Sequence, residues 1–82
     1  MLLLSVANRG TVAERLRACL TVTLLRRGKI VSRLRPRDRG ELFPGERVTV
    51  ALPYAGGVRG LVTAVVKARL GAQIVRRYRI RL

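Results

Sequence analysis

Apolar residues recur at every second position along most of this chain, and that period leaves room for little besides β-structure. The clearest stretch runs from Arg15 to Leu25. Leu16, Ala18, Leu20, Val22 and Leu24 fall on one face, and Arg15, Arg17, Cys19, Thr21 and Thr23 on the other. A strand sends successive side chains to opposite faces, so these five apolar residues form one stripe, whereas a helix would scatter them. The Thr-Val-Thr run adds β-branched residues that suit a pleated surface. The same alternation returns in "RVTVAL" (47–52), with Val48, Val50 and Leu52 inward. It returns again in "LVTAVVKARL" (61–70), with Val62, Ala64, Val66, Ala68 and Leu70 inward.

Turn chemistry divides the alternation into strands. "LLLSVA" (2–7) is a first strand and "NRGT" (8–11) its turn, since Asn8 and Gly10 tolerate unusual backbone angles. "RRGK" (26–29) predicts a hairpin, with "IVSRL" (30–34) as the return strand. Pro36 and Gly40 make "RPRDRG" (35–40) a loop, and "ELFPGE" (41–46) holds a Pro-Gly turn. The glycine-rich "PYAGGVRG" (53–60) is a loop, and "GA" (71–72) turns the chain into a last strand over 73–82. In that strand Ile74, Tyr78, Ile80 and Leu82 are expected inward. Arg76 falls on the same side, which predicts a bulge or a side chain reaching out at the sheet's end. Ala13, Glu14 and Arg15 favour helix, so Val12–Arg17 has a short helical alternative. Six or seven short strands without a long helix indicate an antiparallel sandwich or a small barrel. The expected core residues are Leu20, Val22, Leu24, Val48, Val50, Val66 and Ile80.

The chain has 82 residues, enough for one domain over 1–82. An apolar fraction of 49% argues against disorder despite a net charge of +14. Eighteen basic residues face four acidic ones, Glu14, Asp38, Glu41 and Glu46. Codon usage in a GC-rich genome would explain arginine in place of lysine, but not the scarcity of acids. The excess points to an anionic partner: nucleic acid, a membrane surface or a cell-wall polymer. With one cysteine and no histidine, the chain forms no internal disulfide and has almost no zinc ligands. "MLLLSVANRG" lacks the basic start, long apolar core and cleavage site of a signal peptide. No apolar run approaches a membrane-spanning helix.

Several stretches are similar to a known family. "VANRGTVAERLRACLTVTL" places an Asn-x-Gly turn between two strands, "RRGKIVSRL" is a hairpin, and "ELFPGERVTVAL" sets Pro-Gly directly before a strand. "GLVTAVVKARLGAQIVRRYRIRL" closes the chain as a hairpin. This order resembles the immunoglobulin-like domains of bacterial cell-surface proteins, including CARDB-like adhesion modules and the domains of WxL-interacting surface proteins. Asn8-Arg9-Gly10 and Leu42-Phe43-Pro44-Gly45 carry the match best. The resemblance implies an immunoglobulin-like antiparallel β-sandwich of about seven strands. It also implies a non-catalytic spacer or adhesive module, one domain of a longer surface or secreted protein, placed at the cell surface or outside the cell beside neighbouring domains.

Catalytic chemistry has little to draw on. There is no histidine for acid–base work, Cys19 lies on the outward set without a base, and the acids stand among arginines. Asp38, Glu41 and Glu46 are expected to pair with Arg35, Arg37, Arg39 and Arg47 rather than to gather a cation. "GGVRG" (56–60) lacks the Lys-Ser/Thr ending and following helix of a phosphate loop. No catalytic, cofactor or metal residues are assigned.

In an immunoglobulin-like arrangement the strands over 30–34, 61–70 and 73–82 share a sheet. Its outward residues are then Arg33, Arg35, Lys67, Arg69, Arg77, Arg79 and Arg81, the candidate polyanion-binding set. Arg15, Arg17 and Arg47 are expected on the opposite sheet. This set serves solubility and edge protection, binds anionic cell-wall polymer or lipid headgroups, or binds nucleic acid through phosphates. Base-stacking aromatics are absent from the expected face.

Overall fold

A computed structural model describes every residue of the chain except Arg39 and Ala55. Strand dominates it. β1 (Leu2–Ala7) is followed by β2 (Glu14–Arg15), a helical turn α1 (Leu16–Cys19), β3 (Leu20–Arg26) and β4 (Lys29–Leu34). After them come β5 (Glu41–Leu42), β6 (Arg47–Leu52), β7 (Leu61–Leu70) and β8 (Ala72–Arg81). All pairings are antiparallel. β1 pairs with β6, β2 with β5, and a four-stranded sheet runs in the order β4-β3-β7-β8.

The sheet order departs from expectation in one respect. β3 lies between β4 and β7, so the strand carrying Thr21 and Thr23 shares the basic sheet instead of opposing it. The "RRGK" turn is the cause. Arg27 and Gly28 both have positive φ, 51° and 78°, and Arg26 pairs directly with Lys29. Two central residues of that kind make a tight hairpin turn whose twist matches its strands, so β3 and β4 must be neighbours. A register shift between Leu24 and Leu25 places Val31 in a bulge on the β4 side.

The inner faces of the two larger ladders share one buried cluster. β1 and β6 contribute Val6, Val50 and Leu52; β3 and β7 contribute Leu20, Val22, Leu24, Val62, Ala64, Val66, Ala68 and Leu70. Leu20 and Leu24 are wholly buried. Val48 and Ile80, expected in the core, are only partly covered and pack against it.

α1 corrects the reading of Arg15–Leu25 as unbroken strand. One helical turn brings residues three apart onto the same side, so Leu16 and Cys19 face inward and Ala18 is exposed. The Leu16 amide donates to the Gly40 carbonyl, 3.1 Å away, fixing the turn against the loop before β5.

Asn8 joins the two short motifs. Its side-chain amide donates to the carbonyls of Val12 and Leu42, both at 2.9 Å, and its side-chain oxygen accepts from the Gly10 amide, also at 2.9 Å. Its carbonyl accepts from the Gly45 amide at 2.8 Å, and its own amide donates to the Glu46 carbonyl. Only 1% of Asn8 is exposed, so these bonds satisfy a polar group that would otherwise be costly to bury. The Pro44-Gly45 turn closes with the Glu46 amide donating to Phe43, and Gly45 at φ 84° takes the position that favours glycine. Gly10 in turn lies against Gly71 in the β7–β8 turn. A Cβ on Gly71 would stand 2.7 Å from the Gly10 Cα, so the two backbones approach only because neither residue has a side chain.

Candidate anion-binding face

The outer face of the four-stranded sheet is built by register. Arg33 of β4, Thr23 of β3, Val65 of β7 and Arg77 of β8 stand in one row across the sheet. The next rows hold Thr21, Lys67 and Val75 on one side, and Ile30, Leu25, Thr63 and Arg79 on the other. Arg81 faces Leu61 at one end of the β7–β8 ladder, and Arg69 faces Gln73 near the other.

Four of the seven expected residues converge. Arg33, Arg35, Lys67 and Arg77 line one open depression of about 410 Å³, floored by Thr21, Thr23 and Val65. Val65 points away from the core, yet only 6% of it is exposed. The long aliphatic stems of arginine and lysine cover such a residue while their charged heads stay in water. The other three lie farther along the same face. Arg79 lines a neighbouring hollow with Arg26 and Arg27, and Arg69 lines one with Gln73 and Thr21. Arg81 stands at the end of β8.

Sequence reasoning missed part of this surface. Arg15 and Arg17, expected on the opposite sheet, line a depression together with Arg35. Arg17 stands on the helical turn α1 and Arg15 at the end of β2 just before it; Ala13, Glu14 and Arg15, which favour helix, are not themselves helical. Arg26 and Arg27 extend the face at the β3–β4 hairpin, and Arg26 also donates to the Arg59 carbonyl. Arg47 does lie on the smaller sheet, where it reaches Ser5 Oγ at 3.5 Å.

One inward assignment on β8 changes, and of the two outcomes expected for Arg76 the side chain reaching out is the one found. Tyr78 is 47% exposed, although it shares the side of the sheet that carries Ala64. Arg76 sits opposite Val66 in an unbroken register, so no bulge forms, and its exposed guanidinium turns back to the Val75 carbonyl. The exposed tyrosine lies on the opposite side of the strand from Arg77 and Arg79. The basic face itself therefore carries no aromatic platform.

The acids do not neutralise this face. Among the described residues the one ion pair is Arg15–Glu41, at 4.0 Å between exposed groups, and such a pair contributes little. Asp38 instead accepts from the Gly40 amide at 2.7 Å, and Glu46 from the Phe43 amide at 2.8 Å. The pairing expected with Arg35, Arg37 and Arg47 is replaced by these turn contacts, and Arg39 lies outside the described residues. Successive outward arginines on β8 stand about 7 Å apart. That is inside the screening length of about 8 Å at physiological salt, so their charges repel one another.

Cys19 is buried, contrary to its outward assignment. Burial, with the Glu14 charge adding to it, pushes its thiol pKa up, and its Sγ donates weakly to the Leu16 carbonyl. A raised thiol is a poor nucleophile at neutral pH. Among the described residues no three potential metal ligands come together, and no helix is long and apolar enough to cross a membrane. The chain matches no protein-family model, no curated protein and no solved structure.

Proposed function

We propose that this chain is a non-catalytic module that presents a basic sheet face to an anionic polymer, within a surface or secreted bacterial protein. The observation that carries the reading is the convergence of Arg33, Arg35, Lys67 and Arg77 on one open surface, with no carboxylate partner among the described residues. A polyanion displaces the counter-ions such a face must hold, and that release favours binding. Anionic cell-wall polymer is the preferred partner and lipid headgroups the related one. Nucleic acid ranks behind them because the face lacks aromatics for stacking.

The immunoglobulin-like sandwich belongs to the same reading. β1 with β6, and β3 with β7 and β8, correspond to the B–E and C–F–G pairings of that fold, with β4 extending the second sheet. The two motifs behind the family resemblance meet through the Asn8–Gly45 bond, which gives both a structural reason to be there. A surface module joined to neighbouring domains would expose the outer sheet face and use its turns only for shape.

The test is a titration with teichoic acid, inorganic polyphosphate and a structured RNA loop at rising salt. Teichoic acid and polyphosphate are expected to bind at low salt. Their affinity should fall linearly on a log–log plot, with a slope reporting about four or more neutralised charges. Tight, salt-resistant binding to the RNA loop alone would replace this reading with nucleic-acid recognition.

A further inference from the structure

The smaller main ladder has two strands and the larger sheet four, so one cannot cover the other. At about 4.8 Å per strand the mismatch is about two strand widths, and on the β8 side it leaves a strip uncovered. Part of that strip is an apolar groove of about 400 Å³ between β1 and β8, whose lining includes Leu2, Leu4, Val22, Ala64, Tyr78 and Ile80. Burial across the β1–β6 ladder shows the same gap. Leu52 and Val50 of β6 are 1% and 2% exposed, while their direct partners Leu2 and Leu4 of β1 are only partly covered. β1 pairs with β6 alone, so its other edge carries backbone donors and acceptors without a strand partner among the described residues.

We propose that this groove receives an extended polypeptide segment, which pairs with the free edge of β1 as a third strand of the smaller sheet. The edge calls for a polypeptide, because an acyl chain would leave the backbone groups of β1 unmatched. The apolar floor calls for aliphatic residues at alternate positions. Charge completes the description. Residues between the aliphatic ones point to the outer side of the smaller sheet, where Arg47 reaches Ser5 Oγ of β1, and the chain carries a net charge of +14, so those residues are acidic. A second copy is a poor occupant, since it would bring two bodies of net charge +14 together. The site is separate from the outer basic face and does not depend on what that face binds.

The test uses the full chain and a synthetic peptide of about nine residues alternating valine and glutamate, roughly 30 Å long when extended. Residue-resolved amide exchange is measured with this peptide, with a shuffled peptide of the same composition, and with a valine–lysine alternation. The valine–glutamate peptide is expected to slow exchange within Leu2–Val6 by about tenfold or more, and to bind about tenfold tighter than either control. Tyr78→Ser, at a half-exposed position that leaves the fold intact, is expected to weaken peptide binding at least about fivefold and to leave polyphosphate affinity unchanged. Tyr78→Phe should restore peptide binding. Equal binding of the shuffled or lysine peptide would overturn the proposal. So would protection confined to β8, peptide-free dimerisation that protects β1, or a dodecyl-chain detergent protecting β1 equally well.

Discussion

β7 and β8 are the same length, ten residues each, and pair in full register from Leu61↔Arg81 to Leu70↔Ala72. Yet β7 buries six of its residues and β8 none. The difference is position. β7 lies between β3 and β8 and beneath the smaller sheet, while β8 is an edge strand that the smaller sheet does not reach. Hydrogen bonding makes the two equal partners, and cover makes one a core strand and the other a surface. β8 is thereby free to carry arginine on both of its sides.

Exchanging residue types across one row breaks the comparison most severely. Val66 and Arg76 are direct partners. Val66→Arg would put an unpaired charge into the core and is expected to cost more than about 4 kcal/mol, enough to unfold a domain of this size. Arg76→Val should change stability by no more than about 0.5 kcal/mol. Urea denaturation of both variants reads the asymmetry, and a similar loss in each would show β8 to be covered.

The turn joining the two strands comes next. Gly71→Ala meets the Gly10 backbone and keeps a φ of 93°, so a loss of about 3 kcal/mol is expected in thermal unfolding. Asn8→Ala removes the donors to Leu42 and Val12 and should cost about 2–3 kcal/mol, with the Pro-Gly turn loosening in amide exchange. An Asn8→Ala variant as stable as the parent would remove the link between the two motifs. Tyr78→Ala has a small expected effect, below about 1 kcal/mol, because the side chain is half exposed. A loss of about 3 kcal/mol there would place Tyr78 in the core after all.

Alternation made the strands legible. β1, β6 and β7 begin and end where the pattern and its flanking turns place them, and most of the expected core is buried. What alternation does not carry is cover. Tyr78 and Ile80 repeat the pattern of Val62 and Ala64, but no sequence signal says that the facing sheet stops short of them. Nor does it carry a local change of period. One helical turn at Leu16–Cys19 reversed the sides of Ala18 and Cys19, and Arg17 on that turn lies with Arg15 at the end of β2 beside Arg35. The basic face was legible as a set of residues because Arg77, Arg79 and Arg81 keep strict alternation. Its inclusion of the β3 threonines followed from the Arg27-Gly28 turn, whose positive φ values tie β3 to β4.

The central claim is that position on the sheet, rather than net charge, makes the outer side of β8 a binding surface. Polyphosphate affinity at low salt tests it with two variants that each remove three positive charges. One is Arg77→Ser/Arg79→Ser/Arg81→Ser. The other is Arg9→Ser/Arg47→Ser/Arg37→Ser, at exposed positions off that face. The first is expected to lose about tenfold or more in affinity and the second less than about threefold. Equal losses in the two variants would contradict the claim and leave only the overall charge of the chain.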